Sequence, residues 1–418
     1  MPIPELDRRT FLIGAAGAAG LIVGAAPTAS AAAPNASRVY VLVIDGALPG
    51  EITSVLTPRL AALRDSGTNY PAAQSLPVME TIPNHVMMMT GVRPDRSGVP
   101  ANSIYDRSIS AVRELDRPTD LTFPTLLERL AARGIRTGSV LSKEYLYGIF
   151  GTRASYRWEP APLVPVSGHA PDQFTTDALI AMVDGPDPQL VFANFGDIDR
   201  YGHSDYTGPL TIAAARKAAL AQTDLQIGRF IDRLKATGKW STSVVLVLAD
   251  HSMDWSTPLG FVTLSRVFAA DPLLAGNVAI AQNGGADLLY WTGPAQDRTA
   301  GVARMRELAL AQPGVLSVET PAPLRLPALA GDLIAFARQG WRFSDSSPTS
   351  NPLPGNHGHP ATLPIPFFIS GGSSWVRRGV TSAAAARTVD VAPTVGRLFG
   401  LTAPPGGYDG TRRSDAFR

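Results

Sequence analysis

Arg38-Val39-Tyr40-Val41-Leu42-Val43-Ile44-Asp45-Gly46 is the stretch on which the fold turns. After its first residue the run is apolar and rich in β-branched side chains, with none of the alternation of a half-exposed strand. Such a run reads as a strand buried on both faces, as in a parallel sheet covered by helices. It delivers Asp45-Gly46 at its carboxyl end, the edge where open α/β sheets hold their ligands. Taken alone, Asp-Gly is also an ordinary turn pair.

The arrangement recurs twice. A strand over 189–195 leads into Asp197-Ile198-Asp199-Arg200-Tyr201-Gly202-His203, and a strand over 243–249 leads into Asp250-His251. Asp199 and His203 are four apart, so one helical turn puts both within reach of one ion, whereas Asp197 points elsewhere. A further strand over 135–141 ends at Ser142-Lys143, where Lys143 is either a solvated loop lysine or a contact for an anionic substrate. Helices are expected over 58–64, 123–133, 174–183, 211–235 and 387–399, a polar loop over 98–106, and a long loop over 151–172. Residues 365–369 return to the sheet. The class is α/β: a three-layer α/β/α sandwich with a mostly parallel central sheet.

Residues 252–356 mix short strands (277–281, 288–291, 315–319) with a helix over 298–310. They read as a smaller α+β subdomain that caps the substrate site. It would divide the catalytic core into a first part, 34–251, and a last part, 357–418.

Met79-Glu80-Thr81-Ile82-Pro83-Asn84-His85 opens a second kind of motif. Pro83 has a preset φ and needs no amide partner, which suits a first helical turn, and Gly91 ends the apolar run that follows. Thr81 then sits at or just before a helix N-terminus, where free N–H groups and the dipole favour an anion. Thr is also a common N-cap, so the turn gains meaning only beside the acids and histidines. Pro354-Gly355-Asn356-His357-Gly358-His359-Pro360 adds two histidines in one Gly/Pro-bounded loop.

The chain has 418 residues, 45% of them hydrophobic, enough for a large core. Its formal charge is +2 and its body carries no Lys/Arg cluster, so no nucleic-acid partner is implied. There is no Cys, which excludes disulfides, thiolate metal sites and a Cys nucleophile. Any metal is then held by His and carboxylates, ligands that suit zinc. Asp7-Arg8-Arg9-Thr10-Phe11-Leu12, an apolar run to Val23 and Ala29-Ser30-Ala31-Ala32-Ala33 read as a twin-arginine leader over 1–33. The run is shorter than the roughly 20 residues of a membrane span. The expected partner is the twin-arginine export machinery, the expected product an extracytoplasmic protein with no membrane span after cleavage.

Divided by geometry, Asp45, Asp250, His251 and the Thr81 hydroxyl would hold one ion, and Asp199, His203 and His357 a second. Two ions about 4 Å apart clamp the attacking and leaving oxygens of an in-line displacement at phosphorus.

The order Asp45-Gly46, Thr81-Ile82-Pro83-Asn84-His85, Asn102, Asp199-x-x-Gly202-His203, Asp250-His251, His357-Gly358 resembles the alkaline phosphatase superfamily. Within it, the type I phosphodiesterase/nucleotide pyrophosphatase branch is most similar. The resemblance spans nearly all of the chain after the leader, including Asp390-Val391-Ala392-Pro393-Thr394. It implies two divalent ions (zinc first), a nucleophile at Thr81 and an amide in the phosphate pocket at Asn102. Ser252 stands where Gly is usual and His359 where an aromatic is common, and the subdomain matches no feature of the branch. The implied function is an exported two-metal phosphodiesterase acting on a small phosphate ester through a phospho-threonine. Asn102 and the backbone N–H groups after Thr81 would hold a non-bridging oxygen, with Lys143 and His359 as second-rank candidates for substrate or outer-shell roles. The alternatives are a phosphonoacetate-type phosphonate hydrolase, which Lys143 would fit, and a phosphomonoesterase, for which no extra basic group is evident. An exported metal-binding protein without turnover is the reading from a different class.

Overall fold

A computed structural model describes residues 38–161, 168–204, 214–345 and 350–418. The leader over 1–33 lies outside the described residues. Among those described, no helix is long and apolar enough to cross a membrane.

The main sheet has eight strands in the order Val380–Thr381, Thr68–Asn69, Phe367–Ser370, Ser243–Leu248, Arg38–Ile44, Leu190–Phe195, Thr137–Val140 and Tyr156–Trp158. It is mixed. The last five strands of this order run parallel, with Val41 paired to Phe192 on one side and Leu246 on the other. Phe367–Ser370 runs antiparallel to both its neighbours. The run that opened the sequence is the middle of the parallel part, and beyond Arg38 all of it is buried.

Successive strand residues face opposite sides of a sheet. Tyr40 meets Phe230 of the long helix Ala214–Ala236 edge-on, with ring centroids 5.0 Å apart. Phe192, on the opposite side, meets His85 of Thr81–Thr90 and Phe150 of Glu144–Phe150. The sheet is therefore covered on both faces, which is why its strands read as unbroken apolar runs.

Between the strand Ser243–Leu248 and the loop carrying His357 lies a four-stranded antiparallel sheet. Its order is Val278–Asn283, Ala286–Trp291, Leu333–Ala337, Val315–Glu319. Leu289, Trp291 and Leu333 face a small core of their own with Met305 and Ala309 of the helix Arg298–Leu310. The alternate residues Leu288, Tyr290 and Ile334 join the main core. Leu333–Ala337 was not expected from the sequence. Three other expectations change. The stretch 151–172, expected as a long loop or small insertion, holds the edge strand Tyr156–Trp158 of the main sheet. Within 98–106, Ser103–Asp106 is a strand, paired in a hairpin with Ala111–Glu114. The helix over 123–133 is shorter, Leu126–Ala131, because Thr125 and Glu128 form a capping box at its start.

The strand order positions the site. Ser243–Leu248, Arg38–Ile44 and Leu190–Phe195 are neighbours and end at one edge, so Asp250, Asp45 and the helix Asp197–His203 emerge side by side. Lys143 follows the next strand along, Thr137–Val140.

Candidate active site

The nucleophile turn is the start of the buried helix Thr81–Thr90, with Glu80 as its extended N-cap residue and Gly91 in the left-handed region at its end. Asn84 ties the incoming chain to this helix. Its Nδ2 donates to the carbonyls of Leu76, Val78 and Glu80, and its Oδ1 accepts from Leu76 N–H and the Thr388 hydroxyl. Thr81 Oγ lies 3.2 Å from His251 Nε2.

Asn102 stands against this turn. Its Oδ1 accepts the Ile82 N–H at 2.8 Å, and its own N–H donates to the Glu80 carboxylate at 2.7 Å. The first backbone N–H after Thr81 is thus engaged by Asn102 and not open to an oxyanion, a correction to the sequence expectation. Asn102 also lines the cleft above the turn.

Three buried aspartates share one design: one carboxylate oxygen is held by protein, and the other has no hydrogen-bond partner and faces only imidazole nitrogens, at 3.3 Å or more. Asp45 Oδ2 accepts from Asn194 Nδ2 at 2.8 Å and lies 2.7 Å from Lys143 Nζ. Asp199 Oδ2 accepts from Lys143 Nζ at 2.7 Å, and Asp250 Oδ1 accepts from Gly46 N–H at 3.3 Å. The orphans are Asp45 Oδ1, Asp199 Oδ1 and Asp250 Oδ2. A buried carboxylate oxygen without hydrogen bond or ion is costly, so three of them beside histidines fit cations. Ligand atoms of Asp45, Asp250 and His251 lie within 4.8 Å of one another, as do those of Asp199, His251 and His357. His203 Nε2 is 3.4 Å from Asp199 Oδ1. All seven expected ligand residues, Thr81 included, converge here, with the His251 and His357 rings stacked at 3.7 Å. His251 belongs to both groups instead of one.

Gly46 is required by this convergence. Its φ is +72°, and a Cβ there would lie 3.0 Å from Asp199 Cα and Cβ. His85 and Asn194 form the layer behind: His85 Nδ1 pairs with the Thr81 carbonyl at 2.8 Å, and its Nε2 is 3.0 Å from Asn194 Nδ2.

Electrostatics follow from burial. Burial, then Asp250, raises Asp45, while burial lowers His251 to about 4 and His357 well below its usual value. Neutral imidazoles are the form that binds metal. Burial opposes ionisation of Asp199, but Lys143 and His203 outweigh it and hold this carboxyl well below its ordinary value. Burial also pushes Glu80 up to about 8.

Lys143 and His359, expected at the substrate or in an outer shell, and Lys143 also as a solvated loop lysine, are both withdrawn from solvent and from the cleft wall. Lys143 is completely buried behind the ligands, paired to Asp45 and Asp199. His359 is completely buried too, its Nε2 3.3 Å from Asp254 Oδ2 and its ring against Gly285. The cleft above Thr81, of about 260 Å³, is walled instead by Arg200, Tyr145, Glu80 and Glu114, with Gln282 and Asn283 from the inserted sheet. None of these was expected from the sequence. Arg200 had a signal, since it directly follows Asp199; the others come from segments that only the fold brings near. A larger hollow of about 480 Å³, against Phe268, Ile280 and Asp345, lies apart from the ligands.

Known proteins share this architecture. The chain is similar in fold to murine ectonucleotide pyrophosphatase/phosphodiesterase 5, with a TM-score of 0.76 and 18% identity, covering 91% of this chain and all of that one. It is also similar to an inactive threonine-to-alanine variant of that murine protein in complex with AMP, at a TM-score of 0.74, 18% identity and the same coverage. In sequence it is 24% identical over 247 residues to the bis(5'-adenosyl)-triphosphatase ENPP4 of Bos taurus, covering 56% of this chain and 51% of the relative. The Xenopus laevis counterpart is 21% identical over 255 residues, covering 59% and 52%. The chain spans about half the length of these curated relatives. The family model for type I phosphodiesterase/nucleotide pyrophosphatase matches residues 39–360. With the match running from the central strand past His357, the chain belongs to the type I phosphodiesterase/nucleotide pyrophosphatase family of hydrolases.

Proposed function

We propose that this protein hydrolyses phosphate diesters, nucleotide-like diesters or pyrophosphates foremost, through a phosphorylated Thr81. One observation carries the reading: three carboxylates, each with one oxygen held and one orphaned, converge with His251 beside the Thr81 hydroxyl. Asp45, Asp250, His251 and Thr81 would hold one divalent ion and Asp199, His203 and His357 another, with zinc suited to this set. Bound there, the ions supply Lewis-acid polarisation and ease ionisation of the nucleophile.

The chain's own residues do the rest. Thr81 Oγ gives its proton to solvent and attacks phosphorus as the bond to the leaving alcohol or phosphate oxygen breaks in line; water later cleaves the resulting threonine phosphodiester, releasing the monoester and restoring the Thr81 hydroxyl. Asn102 Nδ2 donates to the non-bridging oxygen as charge develops there. Residues 252–356 serve as a cap, through Gln282 and Asn283 on the cleft wall. The adenosyl-triphosphatase names of the curated relatives and the AMP held by the inactive murine variant support a nucleoside phosphate as substrate class. Export by the twin-arginine route, from the leader, belongs to the same proposal.

A phosphonoacetate-type reaction loses its supporting feature, because Lys143 is paired with two aspartates and not on the cleft wall. A phosphomonoesterase gains one: Arg200 supplies on that wall the basic group that the sequence did not disclose. The test is acid-quench mass spectrometry during diester turnover. An adduct on the Thr81 peptide that carries the phosphate with the substrate's remaining ester group, absent in Thr81→Ala protein of unchanged metal content and at least about 10³-fold lower activity, is the expected result. Full activity in that variant would overturn the proposal.

A further inference from the structure

Lys143 follows the strand Thr137–Val140 and stands at the N-cap of the helix Glu144–Phe150. Its Nζ lies 2.7 Å from Asp45 Oδ2 and 2.7 Å from Asp199 Oδ2. These two aspartates belong to different ligand groups. In each, the oxygen that meets Lys143 is the outer one. The partnerless Oδ1 faces the histidines: Asp45 Oδ1 is 3.7 Å from His251 Nε2, and Asp199 Oδ1 is 3.4 Å from His203 Nε2 and 3.9 Å from His357 Nε2.

The position is built for this side chain. A Cβ on Gly196 would lie 2.9 Å from Ser142 Oγ and 3.5 Å from Lys143 Cε, so glycine there leaves the stem its path. The Tyr145 ring lies on another side, 5.9 Å from Nζ. An ammonium with no exposure is strongly unfavourable unless carboxylates meet it, and here two do at hydrogen-bond distance. Asn194 and Ser142 brace the arrangement, with Asn194 Nδ2 on Asp45 Oδ2 and Ser142 Oγ donating to Asn194 Oδ1 at 2.5 Å.

We propose that Lys143 is a positioning residue for both metal groups: it holds the outer oxygens of Asp45 and Asp199 so that their inner oxygens face the ions. One side chain thereby couples the two groups, and it acts on ligands and not on substrate. This inference rests on the two-ion reading above. Partners behind metal ligands typically govern affinity by about 10–100-fold. Removing Lys143 is therefore expected to weaken both ions together, whereas a lysine serving substrate would change KM and leave metal binding alone.

The experiment is calorimetric titration of zinc into metal-free wild-type and Lys143→Met protein, with circular dichroism to check the fold and KM measured on a chromogenic diester. Both sites in the folded variant are expected to weaken by about 10–100-fold. Should Lys143→Met not fold, Lys143→Gln, which keeps a polar tip and most of the length, is read in the same way. A folded variant with wild-type affinity at either site overturns the inference and leaves the catalytic reading intact. Wild-type protein that binds two zinc ions and cleaves no diester overturns the catalytic reading and leaves the role of Lys143 to be decided by the same titration.

Discussion

Arg216 and Glu51 form a buried two-pronged pair: Nε lies 2.7 Å from Oε1 and Nη2 2.8 Å from Oε2. The same guanidinium donates to the Ile198 and Gly46 carbonyls at 2.9 and 3.0 Å. One side chain of the long helix thus grips the turn after Asp45 and the helical turn that carries Asp199. Its planar fork serves these acceptors at once, which a lysine could not do.

Removing one partner of a buried pair leaves an uncompensated charge. Arg216→Met is expected to destabilise the protein by about 3–5 kcal/mol in urea unfolding. Adding Glu51→Gln neutralises the orphaned carboxylate, so the double variant should be less destabilised than the sum of the two single ones. Additive effects would contradict the coupling.

Asn102 bonds to Glu80 and Ile82 and to none of the aspartate or histidine ligands, so its loss removes a donor and frees the Ile82 N–H while leaving those ligands in place. Asn102→Ala is expected to lower kcat by about 10²–10³-fold, the usual effect of losing an oxyanion donor, with metal content unchanged. Steady-state kinetics and elemental analysis check both halves.

Stability should carry a signature of Asp287 in the inserted sheet. It is completely buried, both its oxygens lack hydrogen-bond partners, and burial, then Asp345, raises its carboxyl well above the ordinary value. A raised folded-state pKa means that its contribution is complete below the unfolded value, about 3.9, and is lost as pH rises through the folded value. Asp287→Asn should therefore be more stable than wild type at pH 8, by a margin that shrinks at pH 5. An equal shift at both pH values in thermal melts would show that the carboxyl does not titrate in this way.

How much was legible follows the range of each interaction. The strands ending at Asp45, Asp250 and the Asp199 turn announce themselves because burial on both faces leaves unbroken apolar runs. Residues of ligand type directly after such runs needed only local reasoning. Lys143 did not, because its neighbours depend on strand order: the sheet sets 250, 45, 199 and 143 side by side, an order absent from the chain. The hairpin after Asn102 was hidden because Ser110 takes the positive φ that a glycine would have signalled. The two-residue strands Thr68–Asn69 and Val380–Thr381 are too short for any period to show. The engagement of the Ile82 N–H needs a side chain twenty residues away.

The most direct test of the central claim is a paired assay on purified, zinc-loaded protein, with bis-p-nitrophenyl phosphate in one arm and p-nitrophenyl phosphate in the other, each with and without chelator. The expected result is strong diester cleavage that the chelator abolishes, and weak monoester cleavage. Monoester cleavage exceeding diester cleavage, or diester cleavage indifferent to the chelator, would contradict it.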